Sequence, residues 1–428
     1  MSTDTPAAAG PLAGGQELLP DQVAASYQRS INRGQGRMAK LLGLPVEVAA
    51  SGCHVFDQEG RCYLDCGGYG VFTIGHRHPN VVAAVHDQLD RQPLSTRLFL
   101  NPVQAAAADA LISVTPAELE RVTFVNSGAE AVELALKLGR SLGLRRVVAM
   151  EGGFHGKTLG ALSATGRDRY RAPFEPLLPG VEHVPFGDPG ALGAALRRPG
   201  GALVILEPVQ AEGGVRIPPP GFLAAVRDLC TRHGALLVVD EIQTGLGRLG
   251  AWWGCGQDGI VPDVLLAGKA LGGGVMPVAA VLSTLAAYRQ LDAEPLLHSS
   301  TFAGGQLAMA AVVATLDVMH REDVPARAAR LGRTLLAGLR AALGDAGELI
   351  ADVRGRGLMI GIEFRAEHHG ARFLENMLDE RVIVCYSLNS DRVARLTPSC
   401  ALTEDDCAWL IKATISAVRR LSRTSAFH

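Results

Sequence analysis

Two residues that could do chemistry follow the most apolar segments of this chain. Lys269 comes just after the run Val264 to Ala267, and the glycines at 272–274 leave room beside it for a flat ligand. A lysine withdrawn from water can act as a nucleophile and form a Schiff base with an aldehyde. The alternative is a lysine at a strand end whose ammonium group reaches back to solvent.

Asp240 ends the second apolar run, which begins at Ala235. Burying an unpaired carboxylate costs on the order of several kcal/mol, so Asp240 is expected to have a cationic partner. A protonated pyridine nitrogen would serve, and a ring held in that state is a strong electron sink. The alternative is that Asp240 caps a following helix.

Residues 122–137 are predicted to form a strand, a tight turn and a helix, with Ser127, Gly128 and Ala129 at the turn. Free N–H groups at a helix N-terminus are a usual seat for phosphate, although Ser127 would also serve as an ordinary N-cap. Phe154 and His155 lie between glycines after another predicted strand. Either ring could lie against a flat ligand, or simply pack in the core.

These segments belong to a region, from about residue 120 to 320, in which short apolar runs alternate with helical patterns. This alternation predicts a mostly parallel sheet with helices on both faces. The predicted strands are Val122 to Asn126, Arg146 to Met150, Ala202 to Glu207, Ala235 to Asp240, Val264 to Ala267 and Val278 to Leu282. Ligands collect beyond the carboxyl ends of such strands, so the residues at those ends are expected to converge on one crevice. They are Asn126-Ser127-Gly128, Glu207, Asp240 and Lys269.

After Arg321 the pattern changes to a smaller α+β domain. The predicted elements are a helix from Asp323 to Leu343 that stops at Gly344, a strand from Leu358 to Phe364, a helix near Ala371 to Arg381 and a last helix from about Glu404. The expected organisation is a flexible tail (1–20), an N-terminal segment joining the small domain (21–66), a large ligand-binding domain (67–320) and the small C-terminal domain (321–428).

The composition excludes several classes of function. The 428 residues are 48% hydrophobic and carry a formal net charge of -2, which leaves no basic stripe for nucleic acid and no cationic face for a membrane. No apolar stretch is long enough to span a bilayer. The eight cysteines form no C-x-x-C pair and no metal-ligand spacing, so free thiols and a reducing cytoplasm are expected.

Two nucleotide-binding motifs are nearly present and fail. Gly156-Lys157-Thr158 matches the end of a P-loop, but the first glycine would have to be residue 151, which is Glu151. The run 245–250 has the G-x-G-x-x-G form, but it neither follows a strand directly nor opens a helix.

Taken together, residues 50–420 resemble the class III aminotransferases, in motif content and in motif order. The most specific motifs are Asp240-Glu241-Ile242-Gln243-Thr244-Gly245-Leu246-Gly247-Arg248 and Lys269-Ala270-Leu271-Gly272-Gly273-Gly274. The resemblance implies an α/β fold of type I, with a mostly parallel seven-stranded sheet in a large domain and a smaller α+β domain. It also implies pyridoxal 5'-phosphate (PLP) as cofactor and a homodimer with active sites at the subunit interface.

The resemblance further implies roles for individual residues. Lys269 would bind the cofactor aldehyde and move the proton, and Asp240 would hold the pyridine nitrogen. The other cofactor-binding residues would be Ser127, Gly128 and Ala129 at the phosphate, Phe154 and His155 at the ring, Gln243 at the phenolic oxygen, and Thr301 at the phosphate of the neighbouring subunit.

On the substrate side, Glu212 resembles the glutamate of the family that pairs with an arginine, here Arg395. With the pair broken, Arg395 would bind a dicarboxylate such as 2-oxoglutarate, whereas with the pair kept the site would accept an ω-amine. Tyr69, Phe72 and Lys157 are the other expected substrate-binding residues. Lys157 stands where many relatives that use amino acids carry an arginine, which favours a simple amine or aldehyde.

Within the class, the closest likeness is to the putrescine aminotransferases, beside the ornithine and acetylornithine group. One loop departs from the family pattern: it reads Ala303-Gly304-Gly305-Gln306, where Gly-Gly-Asn-Pro is usual. The expected function is transfer of a terminal amino group between a diamine or ω-amino compound and a 2-oxo acid. Amination of an aldehyde or ketone in a specialised pathway, and PLP-dependent decarboxylation, racemisation or amino-group migration, are the alternatives. A regulatory protein without turnover and a nicotinamide oxidoreductase are weaker ones.

Overall fold

The computed structural model describes residues 19–96 and 98–425. The helices in this part of the chain are α1 (Pro20–Ser30), α2 (Arg33–Leu41), α3 (Pro79–Arg91), α4 (Pro102–Ile112), α5 (Gly128–Ser141), α6 (Leu159–Ala164), α7 (Asp168–Arg171), α8 (Pro189–Leu196), α9 (Phe222–His233), α10 (Leu285–Ala293), α11 (Gln306–Arg321), α12 (Val324–Leu343), α13 (Glu367–Asp379) and α14 (Glu404–Ser425). The strands are β1 (Glu47–Ser51), β2 (His54–Asp57), β3 (Cys62–Asp65), β4 (Arg121–Val125), β5 (Arg146–Met150), β6 (Val181–Val184), β7 (Ala202–Leu206), β8 (Leu236–Asp240), β9 (Val264–Ala267), β10 (Ala279–Ser283), β11 (Ile350–Arg356), β12 (Met359–Phe364), β13 (Val382–Ile383), β14 (Cys385–Ser387) and β15 (Ser390–Leu396).

A seven-stranded sheet forms the centre of the molecule, with strand order β4-β10-β9-β8-β7-β5-β6. Strands β9, β8, β7, β5 and β6 pair in parallel, whereas β10 is antiparallel to both of its neighbours. The expected α/β fold with a mostly parallel sheet is therefore confirmed. All residues of β7, β8, β9 and β10 are buried, as is typical of strands covered by helices on both faces.

Alternate residues of one strand pack on opposite faces of this sheet. Leu236 and Val238 of β8 join the apolar cluster that contains the buried face of α5. Leu237 and Val239 join the larger cluster, to which α9 and α11 contribute. Two-sided burial holds β8 inside the sheet, and its parallel pairing with β7 and β9 sets its direction, so its last residue, Asp240, lies at the carboxyl edge.

Two smaller sheets flank the central one. One has the order β11-β12-β15-β14 and comes wholly from the C-terminal part of the chain. The other has the order β1-β2-β3-β13, in which Val382 and Ile383 of β13 pair in parallel with Leu64 and Asp65 of β3. The N-terminal segment therefore contacts the C-terminal part, as the predicted organisation requires, while the domain boundaries themselves stay predictions.

The predicted elements differ from the structure mainly at their ends. Helix α13 begins at Glu367, four residues before its predicted start, and Asp323 is the N-cap of α12 in the left-handed region (φ 46°) rather than its first residue. Residues 1–18 of the predicted tail lie outside the described residues, and Pro20 already begins α1. Within the described ranges no helix is both long and apolar enough to cross a membrane.

Candidate functional site

A cavity of about 200 Å³ lies where the parallel strands of the central sheet end. Residues from the loops after β4, β5, β7, β8 and β9 line it. They are Gly128, Ala129, Phe154, His155, Gly156, Glu207, Asp240, Ile242, Gln243 and Lys269. The expected convergence of strand-end residues on one crevice is therefore seen in the structure.

Lys269 follows β9 by two residues and begins a short turn of 3₁₀ type. Its backbone is in the left-handed region (φ 45°), which side chains rarely adopt and which is common where function constrains the chain. The side chain keeps some surface facing the cavity, but the surrounding protein removes water from it. This burial lowers the pKa of Lys269, and only part of the effect is offset by the negative charges of Glu212 and Asp240. A larger fraction of the amine is therefore neutral and nucleophilic than in water.

Asp240 is buried at the end of β8 and is paired with His155. Its Oδ2 lies 2.7 Å from His155 Nδ1, and its Oδ1 accepts a hydrogen bond of 3.1 Å from the backbone N–H of Ile242. Burial alone would lower the pKa of His155, but the hydrogen bond and the charge of Asp240 outweigh it and raise that pKa. The alternative reading of Asp240 as a helix cap is wrong, because residues 241–250 form turns rather than a helix.

The N-terminus of α5 also borders the cavity. Ser127 is the N-cap, and its side chain accepts a hydrogen bond of 3.2 Å from the backbone N–H of Glu130. The amides of Gly128 and Ala129 belong to the first turn, which has no intrahelical acceptors. Both residues line the cavity, so the helix offers N–H groups and the positive end of its dipole to an anion.

Glu207 is a cavity residue that the sequence marked only as a strand end. Its Oε1 accepts a hydrogen bond of 3.0 Å from the backbone N–H of Phe154, which fixes the loop that carries Phe154 and His155. Burial raises the pKa of Glu207 to about 7, and the nearby charge of His155 offsets part of that effect. The sequence signal for Glu207 is its position directly after a fully apolar strand.

Glu212 and Arg395 form a buried ion pair next to this cavity. Arg395 Nη1 lies 2.6 Å from Glu212 Oε1, and no surface of Arg395 is exposed. The contact is short without being aligned as a hydrogen bond, and Nε and Nη2 of Arg395 have no hydrogen-bond partner among the described residues. Gln243 Nε2 also reaches Glu212 Oε1, at 3.4 Å. The guanidinium group of Arg395 is therefore paired with one carboxylate, that of Glu212, and still has N–H donors without a partner among the described residues.

Seven of the predicted site residues do not line the cavity: Ser127, Glu212 and Arg395, described above, and four others. Lys157 is exposed, with its Nζ 4.6 Å from the centre of the Tyr170 ring. Phe72 stacks on His76 at a centroid distance of 3.6 Å. Tyr69, in the left-handed region (φ 50°), is largely exposed. Thr301 lies on the wall of a second cavity. Their predicted roles stay predictions.

The loop after Thr301 shows what the departure from the family pattern does. Gly305 is the N-cap of α11 without a side-chain hydrogen bond, and Gln306 takes the first helical position. Asparagine and proline favour these two positions, so the chain gives up a capping group there. Gln306 is instead buried, and its Nε2 lies 3.4 Å from Gln92 Oε1.

The groups around the cavity suit one kind of cofactor. The N–H groups at the start of α5, the Asp240 carboxylate, the Phe154 ring and the lysine whose pKa burial lowers match the phosphate, ring nitrogen, ring face and aldehyde of PLP. Fold and site thus define a PLP-dependent enzyme.

Comparison with known proteins identifies the family. The family model for class-III aminotransferases matches residues 40–418, and the chain belongs to this family. An ornithine aminotransferase from Toxoplasma gondii, with PLP at partial occupancy, is similar over 96% of this chain and 97% of its own, with 30% identity and a TM-score of 0.89. A PLP-bound amine transaminase from an uncultivated Pseudomonas species is 28% identical over 88% of this chain and 95% of its own, with a TM-score of 0.80. An (S)-enantioselective omega-transaminase from Thermomicrobium roseum is 26% identical over 93% of this chain and 98% of its own, with a TM-score of 0.85. The protein is therefore a PLP-dependent aminotransferase.

The protonation of Glu207 gives a pH-dependent prediction. The pKa of Glu207 is raised from 4.5 to about 7 in the folded protein, so the folded state binds this proton more tightly than the unfolded state does. The resulting stabilisation is fully present below pH 4.5 and is lost as the pH rises through 7. Relative to the variant Glu207→Gln, the cofactor-free wild type should lose up to about 3 kcal/mol of unfolding free energy across this window. Denaturant titrations of both proteins from pH 4.5 to 8 measure the difference, and a difference that does not change with pH would contradict the assignment.

Proposed function

We propose that this aminotransferase moves a terminal amino group from a diamine or ω-amino compound to a 2-oxo acid such as 2-oxoglutarate. The observation that carries the proposal is the buried pair of Glu212 and Arg395. Paired, Arg395 presents no free charge to an amine that lacks a carboxylate. Released, its unpartnered donors suit the distal carboxylate of a dicarboxylate.

Each residue around the cavity would have a separate role in the reaction. PLP supplies an aldehyde for the amino group and a cationic ring that withdraws electrons from the reacting carbon. Lys269 Nζ, whose neutral form burial favours, would take the proton from the substrate carbon and pass it to the carbon of the cofactor aldehyde. Asp240, hydrogen-bonded to His155, would keep the ring nitrogen protonated. The amides of Gly128 and Ala129 would hold the phosphate, Phe154, whose backbone Glu207 fixes, would contact the ring, and Gln243 would bind the phenolic oxygen.

The role of Lys269 can be tested directly, because the chain has only five lysines. Borohydride reduction of the holoenzyme, followed by peptide mapping, should place the cofactor on Lys269 and on none of the others. Lys269→Ala should retain dissociable cofactor and lose about 10³-fold in the rate of amine conversion, since the proton-transfer group is gone. Lys412→Ala, which removes an exposed lysine on α14, is the control. A label on another lysine would refute the assignment.

The role of Arg395 predicts a difference between acceptors. Arg395→Lys keeps the charge but loses the planar fork that binds a carboxylate through two hydrogen bonds. We expect kcat/KM for 2-oxoglutarate to fall about 30- to 100-fold, with pyruvate turnover and the amine half-reaction much less affected. Steady-state kinetics with both acceptors measure this, after a screen of putrescine, cadaverine, ornithine, lysine and 4-aminobutyrate has found the donor. Equal losses for both acceptors would contradict the proposal.

A homodimer is the second part of the proposal. Thr301 is exposed and shares a cavity wall with Phe99. Leu98, Leu100, Leu296 and Phe302, which are close in sequence to these two residues, also expose large apolar side chains. Ser300 Oγ accepts a hydrogen bond of 3.0 Å from Asn126 Nδ2, which anchors the Thr301 loop next to the N-terminus of α5. A surface of this kind is typical of an interface, and a second copy placed on it would bring Thr301 towards the phosphate seat of its partner.

The interface can be tested by adding charge to it. Leu100→Asp should halve the mass measured by light scattering and weaken cofactor binding, because a carboxylate in an apolar interface is costly to bury. Leu285→Asp, on an exposed position of α10, is the matched control and should remain dimeric with normal cofactor content. A wild-type protein that is monomeric at all concentrations would overturn the dimer.

Amination of an aldehyde or ketone in a specialised pathway remains the second candidate, favoured by the changed loop at Gly305 and Gln306. It differs from the first only in the donor and acceptor, so the same screen with longer aldehydes distinguishes them. A decarboxylase, racemase or aminomutase would form no stoichiometric glutamate from 2-oxoglutarate. The cytoplasm is the proposed location, supported by eight free cysteines, and fractionation of cells tests it.

A further inference from the structure

The tight turn between β14 and β15 makes two hydrogen bonds to Glu212, the residue that pairs with Arg395. The backbone N–H of Leu388 donates a hydrogen bond of 2.8 Å to Glu212 Oε2. The backbone N–H of Asn389 donates one of 2.8 Å to the carbonyl oxygen of Glu212. This turn comes from the C-terminal part of the chain, whereas Glu212 follows β7 of the central sheet. One short segment therefore holds both the side chain and the backbone of Glu212.

The same turn is fixed to the large domain on its other side. Asn389 Nδ2 donates hydrogen bonds of 3.0 and 3.1 Å to the carbonyl oxygens of Gly152 and Gly153, directly before Phe154. The carbonyl oxygen of Leu388 accepts hydrogen bonds of 3.0 Å from Arg167 Nη1 and 2.9 Å from Tyr170 OH. These bonds leave the turn little freedom to follow Glu212 if the carboxylate moves.

The two oxygens of Glu212 have different partners as a result. Oε1 faces Arg395 Nη1 at 2.6 Å and Gln243 Nε2 at 3.4 Å, while Oε2 faces the N–H of Leu388. When Glu212 leaves Arg395, it must also give up the hydrogen bond from Leu388, since that donor is held in place. A hydrogen bond to a charged group is worth more than one between neutral groups.

We propose that Leu388 and Asn389 are positioning residues that hold Glu212 on Arg395 and so set the relative affinity for dicarboxylates and ω-amines. This inference rests on the proposed function and adds a control element outside the cavity. The state with Glu212 on Arg395 binds the amine, and the state with Glu212 displaced binds the dicarboxylate. Weakening the turn lowers the energy needed to displace Glu212, which strengthens dicarboxylate binding and leaves amine binding unchanged while the paired state still dominates.

The test uses glutarate, a dicarboxylate that has neither an amino nor an oxo group and therefore does not react. Leu388→Pro removes the N–H donor, and Leu388→Ala keeps it while removing most of the side chain. With the holoenzyme, glutarate should bind about tenfold more tightly to Leu388→Pro than to wild type, with no tightening in Leu388→Ala. Isothermal titration calorimetry measures the affinity, and the amine half-reaction, followed by cofactor absorbance, should keep its wild-type rate.

Asn389→Ala provides a second variant that does not depend on tolerance of proline in the turn. It removes the bonds to Gly152 and Gly153 but keeps both backbone donors, so glutarate binding should tighten about threefold. A purely structural role would weaken glutarate and amine binding together. Unchanged or weaker glutarate binding in Asn389→Ala and in folded Leu388→Pro overturns the inference.

The outcome also separates this inference from the proposed function. If wild type converts an ω-amine and binds glutarate, but the ratio of the two affinities is the same in every variant, only the role of the turn is wrong. If the cofactor absorbance of wild type responds to none of the amines and glutarate does not bind, the proposed function fails and the inference fails with it.

Discussion

The burial of the Asp240 carboxylate away from solvent is the constraint on which this site depends. Asp240 stands at the end of a strand whose other residues are all apolar and buried, so its charge must be balanced locally. His155 provides one hydrogen-bonding partner at 2.7 Å, and the cofactor ring would provide a cationic one. Other residues of the site lie around this pair: Phe154 precedes His155 in the same loop, Glu207 anchors that loop, and Lys269 lines the same cavity.

Much of the fold follows from the apolar pattern because burial on both faces makes strands easy to recognise. Strands β5 and β9 have the predicted ends, and β4, β7, β8 and β10 differ by one residue at one end or both. Strand β6 was missed, since Val181–Val184 is short and carries a glutamate and a histidine at the edge of the sheet. The reversed direction of β10 was not predictable, because strand direction depends on distant pairings rather than on local composition.

The candidate site was predictable where a residue ends a strand or lies within three residues of its end. Gly128, Asp240 and Lys269 are in this class, and the sheet alone brings them together. For residues on irregular loops the sequence does not fix the position of the side chain: Phe72 packs on His76, and Lys157 Nζ lies 4.6 Å from the centre of the Tyr170 ring. Their substrate-binding roles stay predictions. The contacts of Leu388 and Asn389 with Glu212 join positions 176 and 177 residues apart through backbone groups, which side-chain identity does not reveal.

The parallel pairing of β13 with β3 has a consequence for how the chain is made. Strand β3 includes residue 64, but its neighbour β13 cannot pair with it until residue 383 has left the ribosome. Until then one side of β3 presents unpaired backbone groups, and a nascent chain in this condition is open to wrong association. Completion of this small sheet is therefore a late event of biogenesis.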